Sequence, residues 1–111
     1  MAHRVVWSAA ANADLDDIDA YIGAKSPSSA RRVIEKLREA GDGLGDFPFA
    51  ARMIPELGDP NRRETFVYEY RLMYRVEPDR VRILRVIHGR RLLENVPGSF
   101  EEPQQEAYTA A

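Results

Sequence analysis

Two side chains in segment 62–91 could take part in proton transfer, and many arginines surround them in the sequence. Glu64 could act as a general base, and His88 as a general acid or a phosphate contact. Each also has a structural interpretation. Glu64 could form a cross-strand ion pair, the interpretation we favour, and His88 could be a hydrogen-bonded residue at the end of a strand. Without a substrate position the two remain candidates.

Segment 62–91 is strongly basic, although the whole chain of 111 residues has a formal net charge of only −2. The segment carries nine arginines and four acidic residues, a net charge of +5, whereas residues 1–61 carry −3 and residues 92–111 carry −4. Such asymmetry predicts an anionic partner. We expect the positive groups to gather on one side of a sheet. The candidates for binding a target are Arg63, Arg71, Arg75, Arg82, Arg85, His88, Arg90 and Arg91.

Both nucleic acid and an acidic protein would suit this segment. Arginines neutralise phosphates while Tyr68 and Tyr70 offer stacking faces, and arginine also makes paired contacts with carboxylates. Tyr74 is instead expected in the core of the sheet.

Several classes of site are not indicated by the sequence. There is no cysteine, so disulfides and thiolate chemistry are excluded. No glycine-rich phosphate loop and no histidine pair with metal-ligand spacing is present, and no local motif supports a Ser–His–Asp nucleophile. We therefore predict no cofactor and no metal. The amino end lacks a signal-peptide pattern and no apolar run approaches about 20 residues, which predicts a cytoplasmic protein without a membrane span.

The amino-terminal half predicts a strand followed by two helices. Residues 4–7 favour a strand, and Ser8 has the chemistry of a helix N-cap. Apolar residues then recur at helical spacing from Ala11 to Ile22, and the intervening aspartates are expected on a solvated face. Ser26-Pro27 predicts a second helix start, with glycines 41, 43 and 45 ending that helix. The short connection predicts an antiparallel helical hairpin.

The carboxyl-terminal half predicts three strands, at about 63–68, 70–76 and 81–88, with turns at 68–70 and 77–79. A short strand within 51–57 is an additional interpretation. The last of the three strands is apolar on both faces, which indicates a central position in the sheet. The predicted fold class is α+β, with a two-helix hairpin packed on a mainly antiparallel sheet in the order β-α-α-β-β-β.

A change of composition after residue 93 divides the chain. Residues 94–111 contain two prolines and four acidic residues, and no base. We predict a domain at 1–93 and a flexible or loosely docked tail at 94–111. An alternative is that the acidic tail folds over the basic segment of its own chain.

An ordered set of short motifs spans residues 4–93. V-x-W-S and A-x-x-D-L-x-x-I-x-x-Y-I lie in residues 5–22, and S-P-x-x-A with a following leucine in 26–37. R-R-E-x-F-V and Y-R-L-x-Y-R-V follow in 62–76, and I-L-x-V-x-H-G-R-R in 83–91. Together they resemble the ParE/RelE superfamily of bacterial toxins, and within it the ParE branch.

The resemblance implies a toxin of a type II toxin–antitoxin system, bound by a ParD-like antitoxin in a hetero-oligomer that meets operator DNA only through the antitoxin. ParE-like relatives inhibit DNA gyrase and block replication. RelE-like relatives cleave mRNA in the ribosome. For that nuclease activity the resemblance gives Glu64, Arg71, Arg75 and His88 as candidates.

Two departures favour the gyrase-directed branch. The first is that no tyrosine follows His88 directly; the last tyrosine of the chain, Tyr108, lies in the tail. The second is that the only two lysines, Lys25 and Lys36, lie in the helical region. Ribosome-dependent cleavage of mRNA is the alternative. A third hypothesis is a binding module that has lost its toxicity.

Overall fold

The computed structural model describes residues 2–90 and the backbone of residues 108–110. Two helices pack on a six-stranded sheet with the strand order β2-β3-β4-β5-β1-β6. The elements in chain order are β1 (Arg4–Ser8), α1 (Ala9–Gly23), α2 (Pro27–Asp42), β2 (Arg52–Met53), β3 (Arg62–Val67), β4 (Tyr70–Val76), β5 (Arg80–His88) and β6 (Tyr108–Ala110). The predicted α+β class and its β-α-α-β-β-β core are confirmed, with β2 and β6 as short additional strands.

Strand β5 is central, as its two apolar faces predicted. It pairs with β4 in antiparallel fashion from Tyr70↔His88 to Val76↔Val81, and with β1 in parallel fashion up to Trp7↔Ile83. The other recorded strand pairs are antiparallel. Of the predicted tail, only β6 is described, paired with β1. The rest of 94–111 lies outside the described residues, and the boundary after residue 93 stays a prediction.

Both faces of the sheet carry an apolar cluster. The larger one lies under the helical hairpin and includes Trp7, Leu37 and Tyr74. The smaller one lies on the opposite face, where Ile54 covers Met73, Leu84 and Ile87. Because side chains alternate between the two faces along a strand, neighbouring residues of β4 belong to different clusters. Tyr74 is fully buried, which confirms its predicted place in the core.

Both helices begin where their capping residues predicted. The hydroxyl of Ser8 accepts a hydrogen bond from the backbone N–H of Ala11 at 3.1 Å, and that of Ser26 accepts one from Ser29 at 3.3 Å. These bonds satisfy N–H groups that have no partner within the first helical turn. Within the described residues, neither helix combines the length and apolar content needed to cross a bilayer.

The end of α2 differs from the prediction. Gly41 does not stop the helix, which continues to Asp42 and is followed by a 3-10 turn at Gly43–Gly45. Gly41 is buried, and a Cβ atom there would lie 2.3 Å from Cζ2 of Trp7. The absence of a side chain therefore allows close packing against the indole at this position, and does not end the helix.

The β3–β4 turn contains a backbone outlier. Tyr68 has a φ of 53°, in the left-handed region that glycine adopts most easily. Its side chain is more than half exposed, so little core packing offsets the strain. We expect Tyr68→Gly to be more stable than Tyr68→Ala by about 1 kcal/mol, since both remove the ring and only glycine relieves the strain. Urea unfolding of the two variants measures this difference, and equal stabilities would contradict it.

Candidate binding and catalytic surface

The arginines of segment 62–91 gather on one side of the sheet only in part. Strand register places Arg62, Arg71, Arg75 and Arg82 on the face opposite the helices, but Arg71 and Arg82 are buried and the described arginines do not form one exposed basic surface. Within the described residues many of them contact carboxylates of the same chain, at separate places on the molecule. Arg71 pairs with Glu64 and Glu56, Arg80 and Arg82 with Glu77, Arg85 with Asp14, and Arg62 with Asp59. The alternating sequence placed these residues on strands, but it could not indicate which carboxylates folding would bring to them.

Glu64 lies at the centre of the most buried of these networks. Its side chain is 0% exposed. It accepts hydrogen bonds from Nε of Arg71 at 2.7 Å and from Nε of Arg52 at 2.7 Å. Arg71 also donates from both Nη atoms to the two oxygens of Glu56, at 2.9 and 2.8 Å. The ion-pair interpretation of Glu64 is thus confirmed, and its carboxylate has both oxygens engaged.

This network attaches the segment that contains β2 to the far face of the sheet. Arg52 and Glu56 flank Ile54, which is fully buried against that face. The roles of these two charged residues could not be recognised from the sequence, because both lie in an irregular segment and their partners are 12 and 15 residues away. Hydrogen bonds from Arg71 lower the pKa of Glu56, partly opposed by desolvation. The same hydrogen bonds, donated by Arg71 and accepted by Glu56, raise the pKa of Arg71.

The lowered pKa of Glu56 gives an expected pH dependence of stability. Because the folded-state pKa is depressed, Glu56 stabilises the fold above its ordinary pKa of about 4.3, and this contribution disappears as the pH falls through the lower folded value. We expect Glu56→Gln to remove this part of the acid dependence. Thermal unfolding of both proteins between about pH 3 and 7 measures it. Curves that stay parallel across that range would contradict the assignment.

Side chains replace a neighbouring strand along the second half of β5, where a second largely buried ion pair lies. Beyond Ile83, β1 no longer pairs with β5, and side chains take its place. Ser8 donates to the carbonyl of Leu84 at 3.1 Å, and Asp14 accepts from the backbone N–H of Val86 at 2.8 Å. Asp14 also accepts two bonds from Arg85, at 2.7 and 2.9 Å. Asp14 is therefore an exception to the predicted solvated face, where the other aspartates of α1 are exposed.

His88 ends β5, as predicted, and lies at a groove beside α1. Its ring meets Tyr70 edge-on at 5.9 Å, its Nδ1 accepts from the backbone N–H of Arg90 at 3.2 Å, and its Nε2 lies 3.9 Å from Glu69. The groove has a volume of about 280 Å³, and Asp17 and Tyr21 belong to its lining. The groove at His88 thus combines aromatic, acidic and aliphatic side chains.

The four nuclease candidates do not converge. Glu64 and Arg71 contact each other on the sheet face opposite the helices, and strand alternation gives Arg75 the same orientation as Arg71. His88 pairs with Tyr70, whose side chain packs against the core on the helix side. The sheet therefore separates His88 from the other three.

The target-binding candidates differ in accessibility. Arg71 and Arg82 are buried, and Arg85 is largely buried with Asp14. Arg63 and Arg75 are half-buried and Arg90 is exposed. Arg63 donates to the carbonyls of Pro60, Phe49 and Ala51, which carry no formal charge. Arg91 lies outside the described residues.

Comparison with known proteins gives the family. The sequence model described as "ParE toxin of type II toxin-antitoxin system, parDE" matches residues 5–93. Toxin RelE2 of Caulobacter vibrioides is 38% identical over 90 residues, covering 80% of this chain and 98% of the relative. Putative toxin Y4kP of Sinorhizobium fredii is 34% identical over 92 residues, covering 78% and 88%.

A solved structure agrees with the fold. It is described as a chromosomal ParDE toxin–antitoxin system from P. aeruginosa, and it matches with a TM-score of 0.65 at 24% identity, covering 78% of this chain and 95% of that chain. With the match over residues 5–93, these findings confirm the resemblance read from the ordered motifs. The chain belongs to the ParE toxin family of type II toxin–antitoxin systems.

Proposed function

We propose that this toxin inhibits DNA gyrase, blocks replication and so arrests growth, and that a ParD-like antitoxin neutralises it by direct binding. Membership of the ParE family supports the target. The end of the sheet where His88 and Arg90 lie supplies the accessible contacts for gyrase. Contact with operator DNA occurs only through the antitoxin, in a toxin–antitoxin hetero-oligomer.

The environment of Glu64 is the observation that carries this choice over RNA cleavage. A general base must reach the proton it removes, within hydrogen-bond distance or through one water molecule. Glu64 is buried and bonded to two arginines, and Arg71 is occupied by two carboxylates. These two side chains stabilise the fold and are not presented to a substrate together with His88. A protein that acts by binding gyrase needs no such constellation.

A supercoiling assay with purified chain and gyrase tests the proposal. We expect inhibition by the chain, and a concentration for half-inhibition about tenfold higher for Arg90→Glu, because a reversed charge at a contact slows encounter and weakens binding. Arg31→Glu is the matched control, since Arg31 is an exposed arginine on α2. Full gyrase activity at excess chain would refute the proposal. Equal potency of the two variants would move the contact away from Arg90.

Ribosome-dependent cleavage of mRNA is the second candidate, favoured by the 38% identity to a relative named RelE2. It predicts cleaved transcripts in a translating extract, and loss of that cleavage in His88→Ala. Under our proposal the transcripts stay intact at concentrations that inhibit supercoiling. Cleavage without any effect on gyrase would replace the first candidate with the second.

A further inference from the structure

The groove beside His88 is bordered by an exposed aromatic side chain. Tyr21, on α1, is 79% exposed, the largest fraction among the large apolar side chains within residues 2–90. We call the cavity next to it the His88 groove; its polar and aromatic lining consists of Asp14, Asp17, Tyr21, Tyr70 and His88. Its volume of about 280 Å³ lies just below the range of about 300 to 1,000 Å³ that small-molecule sites occupy. A single side chain of another protein therefore suits it better than a larger ligand.

Regular elements hold both walls of the His88 groove. Asp17 and Ile18 precede Tyr21 by four and three residues on α1, so the three side chains share one face of the helix. Ile18 is buried in the core, whereas Tyr21, about one turn later, is exposed. The other wall comes from Tyr70 and His88, which are paired across β4 and β5 and whose rings meet edge-on. Because the groove exists before a partner binds, little ordering of the toxin opposes binding there.

The two carboxylates in the lining differ in what compensates them. Asp14 accepts two bonds from Arg85 and one from the backbone N–H of Val86. Asp17 is exposed, and none of the ion pairs among the described residues involves it. The part of the lining that the structure describes contains no lysine and no arginine. The carboxylate of Asp17 therefore gives the groove a negative charge that is accessible to a partner.

His88 brings no positive charge to the groove. Its Nδ1 accepts a hydrogen bond from the backbone N–H of Arg90, and a ring nitrogen that accepts is unprotonated. The imidazole is therefore neutral, and the carboxylate of Glu69 lies 3.9 Å from its Nε2. Burial raises the pKa of Tyr70, and the carboxylate of Glu69 raises it further. Negative charge is thus disfavoured beside Tyr70, and the same electrostatic field favours a cation.

We propose that the His88 groove binds an arginine side chain of gyrase, whose guanidinium lies against the ring of Tyr21 and pairs with the carboxylate of Asp17. The proposal rests on the proposed function, in which gyrase contacts this end of the sheet, and Arg90 adjoins the groove through its bond to His88. A guanidinium is planar and weakly hydrated, so it stacks on an aromatic ring and forms paired bonds with a carboxylate. A lysine ammonium is more strongly hydrated, and a phosphate would be repelled by Asp17 and Glu69.

An NMR titration of the full chain tests whether the groove recognises this group. The probe is N-acetylarginine amide, and N-acetylcitrulline amide, which has nearly the same shape without the charge, is its matched control. We expect saturable changes of the backbone amide shifts at Asp17, Tyr21 and His88, with a dissociation constant of about 1 to 10 mM for the arginine probe. The citrulline probe should bind about tenfold more weakly. Absence of saturable changes at these positions, or equal affinity of the two probes, would overturn the inference.

Variants connect this binding to particular side chains. Asp17→Asn and Tyr21→Ser should each weaken binding of the arginine probe by about fivefold or more, and the controls Asp19→Asn and Phe47→Ser by less than about twofold. Asp19 is an exposed aspartate of α1 outside the groove lining, and Phe47 is a 76% exposed aromatic on another part of the chain. All four side chains are exposed, so the variants should fold, and thermal unfolding verifies this. Equal effects of the groove variants and the controls would overturn the inference.

The supercoiling assay tests whether gyrase supplies the arginine. We expect the concentration for half-inhibition to rise about tenfold in Asp17→Asn and in Tyr21→Ser, and less than about twofold in the two controls. Unchanged potency of both groove variants, while the unaltered chain inhibits gyrase, would overturn the inference and leave the proposed function intact. Absence of inhibition by the unaltered chain would refute the proposed function and gyrase as the source of the arginine, and the titration would still decide whether the groove binds a guanidinium.

The same variants exclude other sources of the arginine. A dimer in sedimentation that dissociates in Asp17→Asn would reassign the groove to a second copy of the chain. A weaker affinity of this variant for the antitoxin, with unchanged potency against gyrase, would reassign the groove to the antitoxin. We expect neither result.

Discussion

Replacement of Glu64 with glutamine is expected to lower the free energy of unfolding by about 3 kcal/mol. The change removes a negative charge that lies between Arg52 and Arg71. The Glu64 side chain that carries this charge is fully buried. Arg71 is only 5% exposed and would keep Glu56 as its remaining anionic partner. Loss of one member of a buried charge network is costly because the other charge stays buried without full compensation. Urea unfolding followed by circular dichroism measures the difference.

A glutamate on the surface provides the control for this prediction. Glu39 is 75% exposed and pairs weakly with Lys36 at 3.4 Å, so Glu39→Gln should change stability by less than about 0.5 kcal/mol. If Glu64→Gln also fell within that range, the network would not be an important source of stability. A loss of toxicity in Glu64→Gln has to be interpreted with these data, because an unstable toxin would imitate a catalytic defect.

Replacement of Gly41 with alanine is expected to lower the free energy of unfolding by about 2 to 3 kcal/mol. The new Cβ would lie 2.3 and 2.6 Å from two ring atoms of Trp7 and 3.1 Å from Cδ1 of Ile83. Trp7 cannot move away at low cost. It is 1% exposed, its Nε1 donates to Asp42 at 2.9 Å, and Arg38 lies over the ring at 4.7 Å. The helical preference of alanine offsets only about 1 kcal/mol.

Gly43, two residues later, is the matched control. Nothing lies within 4 Å of a Cβ at this position, so Gly43→Ala should leave stability unchanged or slightly raised. A double-mutant cycle identifies the cause of any loss at Gly41. In a Trp7→Leu background the cost of Gly41→Ala should fall, since residues in contact are not additive. A cost that persists without the indole would refute the steric explanation.

Local signals in the sequence were sufficient to locate most elements. Ser8 and Ser26 satisfy N–H groups within three residues of themselves, so their capping role depends on nothing distant. The turn after Val76 is closed by a bond from the backbone N–H of Glu77 to the carbonyl of Arg80 at 2.8 Å. The apolar pattern of β5 likewise predicted its central position, because strands that are covered on both faces are typically those inside a sheet.

The candidate site was less predictable, because charge pairing operates over long separations in the chain. Asp14 and Arg85 are 71 residues apart, and nothing around either residue indicates their contact. The same holds for Arg71 and Glu56, 15 residues apart. Segment 62–91 does carry a net positive charge, but a net charge counted from the sequence does not reveal how many of its arginines contact carboxylates in the folded chain.

The sequence by itself determined the family, the order of the elements and the identity of the core strand, since these follow from short-range patterns of apolar residues, caps and turns. Only the tertiary structure decided which charged groups remain accessible. It placed Glu64 between two arginines and put His88 on the other side of the sheet. Accessibility is set by what packs against a side chain in space, and residue order alone does not specify those neighbours.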